Sequence, residues 1–293
     1  MSRYDNFHRI QQLDPVRDNC QICHLIAGYE FPWDVTRALE IALFRTFCVP
    51  SISKLLDKTG EFHHRTQKRY DDTGLLVAEI MKWGYDSQRG ADAIRRINQI
   101  HGHFKISNQD FLYVLSTFLY EPVRWIAQFG WRPLSEKERL ACFHFWRAVG
   151  ERMHMQDIPP TYEAFERYNL DYERQNFRYS QTNRRVGEAT LNLFLGWFPG
   201  ILHPVLKPCV NTMLDNTMLD TFGFPHPSPQ LRRVVANALK LRGQLLRLLP
   251  PRKKPDFYVD APQRSYPQGY ELTDLGPPHM LESLNRQEDP DTV

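Results

Sequence analysis

A chain of 293 residues with 37 Lys+Arg against 34 Asp+Glu has a formal net charge of +3, so its overall charge leaves no electrostatic footprint for nucleic acid. The length allows one large core or two small ones. No Gly/Ser-rich or charged linker appears before residue 250, which favours a single domain over residues 1–249 and a tail over 250–293.

At the N-terminus, MSRYDNFHRIQQLDPVRDN lacks the charged-then-apolar pattern of a secretory signal, so a cytoplasmic location is expected. Five cysteines then make no convincing disulfide framework. Cys20, Cys23 and His24 spell CQICH, the pattern by which haem c is attached covalently. Attachment of that kind requires export, and no second CxxC or HxxxH exists to complete a zinc site. The motif therefore reads as packing cysteines, with a redox pair as the alternative.

Periods near 3.6 dominate from there on and strict alternation is nearly absent, which predicts an all-α fold. Arg69 and Thr73 lie four apart and align with Leu76, Val77 and Ile80, so two polar groups sit at one end of an apolar stripe. Ile94, Ile97, His101 and Phe104 recur at helical spacing, placing an imidazole among apolar neighbours. Ser107 with Asp110 opens the next helix, Pro122 is expected to kink it and Gly130 to end it. Ser135 with Glu138 forms a capping box ahead of a helix running to about Met155. Thr161 opens another, with Phe165, Tyr168 and Tyr172 on one face.

The segment ATLNLFLGWFPGILHPVLK is broken by Pro199 and Pro204 and reads as a buried helix plus a turn rather than a membrane-dipping element. No stretch reaches the roughly 20 uninterrupted apolar residues of a spanning helix. Residues 231–249, LRRVVANALKLRGQLLRLL, form a basic amphipathic helix with Arg233, Lys240 and Arg247 opposite the leucines. Such a stripe is either a solvated face or a peripheral membrane contact. Arg242 alone falls on its apolar side, either reaching into a site or snorkelling to the surface. From Pro250 onward the proline-rich remainder is expected to be disordered.

Taken singly, His101 reads as an ordinary core histidine, and Arg69 with Thr73 as polar residues at a helix start. The blocks that contain them, RYDDT, RRINQIHGHF and LYVLSTFLYEPVRWIAQFGW, together with YEFPWDVTRALEIALFRTFCVPSIS, FHFWRAVGERM and FERYNLDYERQNFRYSQTNRRVGEAT, resemble the MpaB and rubber-oxygenase family over roughly residues 8 to 250. The resemblance implies a helical domain enclosing a slot for haem b, with dioxygen as co-substrate and a hydrophobic, isoprenoid-like substrate whose C=C bond is cleaved or oxygenated. It assigns the proximal iron ligand to His101, with His103 as the alternative. The family's Arg-x-x-x-Thr pair falls on Arg69 and Thr73, where the guanidinium would hold a haem propionate or stabilise charge on bound oxygen. Arg242 is a further candidate for a propionate.

The chain also departs from the rubber-cleaving branch. Asp72 stands where those relatives have a lysine before the threonine, and Asn98 where they have an arginine three residues before the histidine. Polyisoprene cleavage is thereby placed in doubt while haem binding is not. Asp72 reads as a solvated helix residue, or as an acid/base group if buried. Two other readings stay open: a haem carrier or sensor on the same fold, and a haem-free membrane-peripheral interaction protein.

Overall fold

The computed structural model describes residues 2–286. Its helices run in chain order as α1 (Asp5–Gln12), α2 (Asn19–Leu25), α3 (Pro32–Thr46), α4 (Pro50–Thr59), α5 (Glu61–His64), α6 (Thr66–Trp83), α7 (Gln88–Gly102) and α8 (Asn108–Phe129). They continue as α9 (Glu136–Arg152), α10 (Tyr162–Asn176), α11 (Gln181–Leu195), α12 (His203–Asn211), α13 (Asn216–Phe222), α14 (Pro229–Leu248) and α15 (Pro278–Arg286). The expected all-α architecture is therefore present. Among the described residues β structure amounts to one isolated bridge, Gln263 to Tyr266.

The caps explain several boundaries. Ser135 accepts from the Glu138 amide while the Glu138 carboxylate accepts from the Ser135 amide, so the capping box starts α9 as its sequence predicts. Thr161 caps α10 through the Ala164 amide, and Ser107 caps α8 through that of Asp110. Gly130 ends α8 as expected, but in extended rather than left-handed backbone. An added Cβ there would lie 2.6 Å from the Ile126 carbonyl oxygen.

Helix α8 forms the centre. Leu112, Tyr113, Leu115, Ser116, Leu119 and Tyr120 are all buried, so the helix is enclosed nearly all round, and α3, α9, α10 and α14 pack against it. A second apolar cluster lies at the far end of α3, where Phe44 and Phe47 meet α11 and α13. Arg45 ties this end together. It grips Glu173 with two bonds of 2.6 and 2.7 Å and also reaches Asp215 at 2.6 Å.

The region from residue 250 departs from its expected disorder. Through Arg286 it packs onto the helices, and residues 287–293 of that expected tail lie outside the described ones. Phe257, Leu275 and Leu284 are buried, and the body supplies buried polar anchors for the backbone between them. Arg96, fully enclosed, donates to the Leu275 and Thr273 carbonyls at 2.8 and 2.6 Å. Asp71 accepts from the Tyr258 hydroxyl at 3.0 Å and the Ser265 amide at 2.9 Å. Two glycines make seats. A Cβ on Gly28 would lie 2.5 Å from the Phe257 ring and one on Gly74 2.8 Å from the Tyr258 ring, so the segment closes over α6 only because those positions are bare. Proline content suggested disorder, but aromatic anchors at this density outweigh the chain entropy.

Asp72 also differs from its expected place. It is buried rather than solvated, accepting from Lys68 at 2.9 Å, the Tyr266 hydroxyl and the Gly276 amide at 3.2 Å. Burial pushes its carboxyl above the ordinary range against those bonds, which pull it down. Its partners make it an anchor for residues 266–276.

Candidate functional site

The sequence predicts that Arg69, Thr73 and His101 come together, and the folded chain places them in one neighbourhood. Helices α6 and α7 form an antiparallel pair joined by a short turn. The Arg69 guanidinium donates through Nη1 to Thr73 Oγ1, and the Thr73 hydroxyl donates to the Arg69 carbonyl at 3.0 Å. Arg69 lies over the Phe62 ring at 5.8 Å, and among the described residues no carboxylate reaches ion-pair distance of it. Its pKa is lowered by burial, only partly offset by the fields of Asp72 and Glu61. Its charge is therefore left without a carboxylate of the described residues to neutralise it.

His101 is the most unusual group. Its ring packs against Phe111 of α8 at 5.3 Å, and its Nδ1 is buried with no hydrogen-bond partner among the described residues. Burial, and secondarily the Arg69 charge, lower its pKa to about 4. The imidazole is thus neutral at physiological pH, the form that binds a metal. His103, the alternative, is exposed and bonded through Nδ1 to the Gln99 carbonyl at 2.8 Å. That arrangement is a helix-end bond and removes it from the group.

Beside this cluster opens a narrow cleft between α3, α6, α8 and residues 256–258, lined by Val35, Leu39, Thr73, Val77, Phe118 and Tyr258 among others. Thr73 belongs to both the cluster and the cleft, whereas Arg69 and His101 stand outside the cleft lining. The walls are mostly apolar, with the carboxyls of Glu40 and Asp256 among them. Glu40 accepts from the Tyr70 hydroxyl and from Arg37 at 2.7 Å. Burial raises its pKa to about 7 in spite of those two partners. Sequence reading missed Glu40 and Tyr70, which lie on different helices, 30 residues apart; only tertiary packing joins them.

Arg242 does not join the cluster. It pairs with Asp34 at 2.9 Å and stacks on Trp33 at 3.8 Å, so its place on the apolar side of α14 is explained by docking to α3. Asn98 donates to the Arg152 carbonyl at 2.9 Å, a structural role. The CQICH residues diverge. Cys23 meets Cys142 with sulfurs 3.9 Å apart, Cys20 faces Gly84, and His24 bonds through Nδ1 to the Lys82 carbonyl at 2.7 Å. Each side chain is a separate packing contact, and the described residues contain no cluster of His, Cys, Asp and Glu that would hold a metal ion by itself. A single imidazole presented to a porphyrin iron forms no such cluster.

The residue types of a haem site are present, with Thr73 linking the His101 and Arg69 pair to the cleft wall. Among the described residues His101 is a half-buried imidazole with an enclosed, unpartnered nitrogen, Arg69 has no carboxylate at ion-pair distance, and an apolar cleft adjoins Thr73. The chain is 29% identical over 322 residues to the ER-bound oxygenase mpaB' of Penicillium brevicompactum, covering 87% of this chain and 76% of the relative. It is 33% identical over 216 residues to the ER-bound oxygenase mpaB of Penicillium roqueforti (strain FM164), covering 68% and 72%. Residues 37–247, which hold the cluster and most of the cleft's lining, match the ER-bound oxygenase mpaB/B'/Rubber oxygenase catalytic domain, and the chain belongs to that family.

Proposed function

We propose that this protein is a haem b-dependent oxygenase that uses dioxygen to cleave or oxygenate a C=C bond of a hydrophobic, isoprenoid-like substrate. The observation that carries the reading is the His101 imidazole, held neutral with its Nδ1 enclosed and unsatisfied. An unmet buried donor or acceptor costs about 1–3 kcal/mol, which ligation would recover. When bound, haem supplies the activation of dioxygen. His101 would hold its iron, and Arg69 its propionate or developing negative charge, since no carboxylate among the described residues neutralises the guanidinium.

The chain's own residues set the remaining conditions. Thr73 fixes the Arg69 side chain and presents its oxygen at the cleft wall. Val35, Leu39, Val77 and Phe118 exclude water and accept an apolar chain. At Glu40, Oε1 is occupied by Tyr70 and Arg37, leaving Oε2 to hold a proton near neutral pH, a suitable state for proton exchange with a substrate oxygen. The relatives' names support oxygenase chemistry in general, while the haem and the substrate class are this reading's own.

The test is direct. Protein reconstituted with haemin is expected to consume oxygen from solution when given squalene as an isoprenoid probe, and Arg69→Leu is expected to lower that rate while keeping the fold. Tight haem binding with no oxygen consumption by any unsaturated isoprenoid would favour a carrier or sensor instead.

A further inference from the structure

Large apolar side chains remain bare on two elements. Along α14, Val234 is 65% exposed, Leu241 and Leu245 are 55% and Leu248 is 81%. Their spacing of seven, four and three places them on one stripe. The opposite face of α14 is docked, with Gly243 against the Phe129 and Gly130 carbonyls and Ala236, Leu239 and Leu246 against the core. The helix therefore has two apolar faces, of which the fold uses one. The second patch is the connection from α11 to α12 with the first turn of α12, where Phe198 is 49%, Ile201 88% and Val205 66% exposed. This segment was expected to be a buried helix plus a turn; the helix is there, but the turn projects its apolar residues outward. No single described helix is long and apolar enough to cross a membrane.

Charge identifies what covers these patches. Between Asp220 and Asp256 the chain carries eight Lys and Arg residues and no Asp or Glu, although its net charge is only +3 overall. Exposed Arg233, Lys240 and Arg247 follow one flank of the bare stripe, and exposed Lys253 and Lys254 follow the helix. An apolar stripe bordered by long basic side chains suits a lipid interface, where leucines enter the acyl boundary and the cations reach headgroup phosphates. Packing the same face against a second copy would set basic row against basic row.

The elements that carry both patches reach the surroundings of the cleft. Arg242 of α14 stacks on Trp33, next to the cleft residue Pro32. Trp197, which begins the bare turn, packs against the cleft residue Tyr70 at 5.3 Å. We propose that α14 and the turn at 198–205 together seat the protein on a bilayer with anionic headgroups, with the cleft opening beside the lipid so that an apolar substrate enters without crossing water. The docking surface stands independently of haem; only the substrate's route rests on the function proposed above.

The experiment is flotation of the purified protein with phosphatidylcholine vesicles, with and without roughly a third phosphatidylserine. The wild type is expected to float with the anionic vesicles, less so as salt rises from about 0.1 to 0.5 M. Leu241→Asp with Leu245→Asp, and separately Ile201→Asp, are each expected to lower the partition about tenfold or more. Lys253→Ala and Lys254→Ala are each expected to lower it about fivefold on the anionic vesicles alone. Val16→Asp, at a position 55% exposed between α1 and α2, serves as the control and should float like wild type. Circular dichroism and the haem spectrum of every variant should be unchanged, which separates loss of docking from loss of fold or cofactor. The proposal is overturned if wild type ignores both vesicle types, if the Asp variants float as well as wild type, or if wild type is a dimer that Leu241→Asp with Leu245→Asp dissociates.

Discussion

The Glu40 carboxyl at the cleft wall makes the structure's electrostatics measurable without any substrate. In the folded chain Glu40 ionises at about 7 against an ordinary 4.5, with burial as the main cause. Below about pH 4.5 both folded and unfolded chains hold the proton, and this group's favourable contribution is fully present. As pH rises toward 7 the unfolded chain releases the proton first, so the folded state binds more protons and stability falls across that window before levelling. At about 1.36 kcal/mol per pH unit the interval amounts to about 3 kcal/mol. Glu40→Gln removes the titration while leaving an oxygen to accept from Tyr70. Urea titrations of both proteins at several pH values between about 4.5 and 8 should give curves that converge at the acid end and separate by about 3 kcal/mol at the basic end, the variant being the more stable. Profiles parallel to within about 0.5 kcal/mol would refute both the burial of this carboxyl and its elevated proton affinity.

Other substitutions check other parts of the fold. Phe257→Ala should cost about 3 kcal/mol in chemical denaturation, because the ring is buried against Gly28; a change near zero would mean that the segment from residue 250 is loose. Arg45→Ala should cost about 3–5 kcal/mol by leaving Glu173 enclosed beside Glu121 and Tyr113 without its cation, and a thermal midpoint equal to wild type would contradict that. Cys20→Ser with Cys23→Ser should leave haem content unchanged, and a denaturing gel stained for haem should show none travelling with the wild-type chain; a stained band would reinstate covalent attachment at CQICH.

How much could be read beforehand follows from the range over which each signal acts. Caps at Ser107, Ser135 and Thr161 are decided within four residues and were legible. So was the neighbourhood of Arg69, Thr73 and His101, because two helices linked by a short turn pack antiparallel and their stripes face each other. Asp72 was misjudged because its burial depends on Tyr266 and Gly276, about 200 residues away. The order of residues 250–286 was hidden for the same reason: its seats, Gly28 and Gly74, and its anchors, Asp71 and Arg96, lie in other helices and carry no local signature. The stripe on α14 was visible as amphipathic, but periodicity could not reveal that the helix docks one apolar face through Gly243 and leaves another bare.

The role of His101 is tested most directly by the absorption spectrum of the haemin-reconstituted protein beside that of His101→Ala, each titrated to saturation. A Soret band at one haem per wild-type chain is expected, together with loss of stoichiometric binding in the variant and its partial return on adding free imidazole. A variant that retains haem at full occupancy with an unchanged spectrum would contradict the assignment of His101 as the iron's ligand.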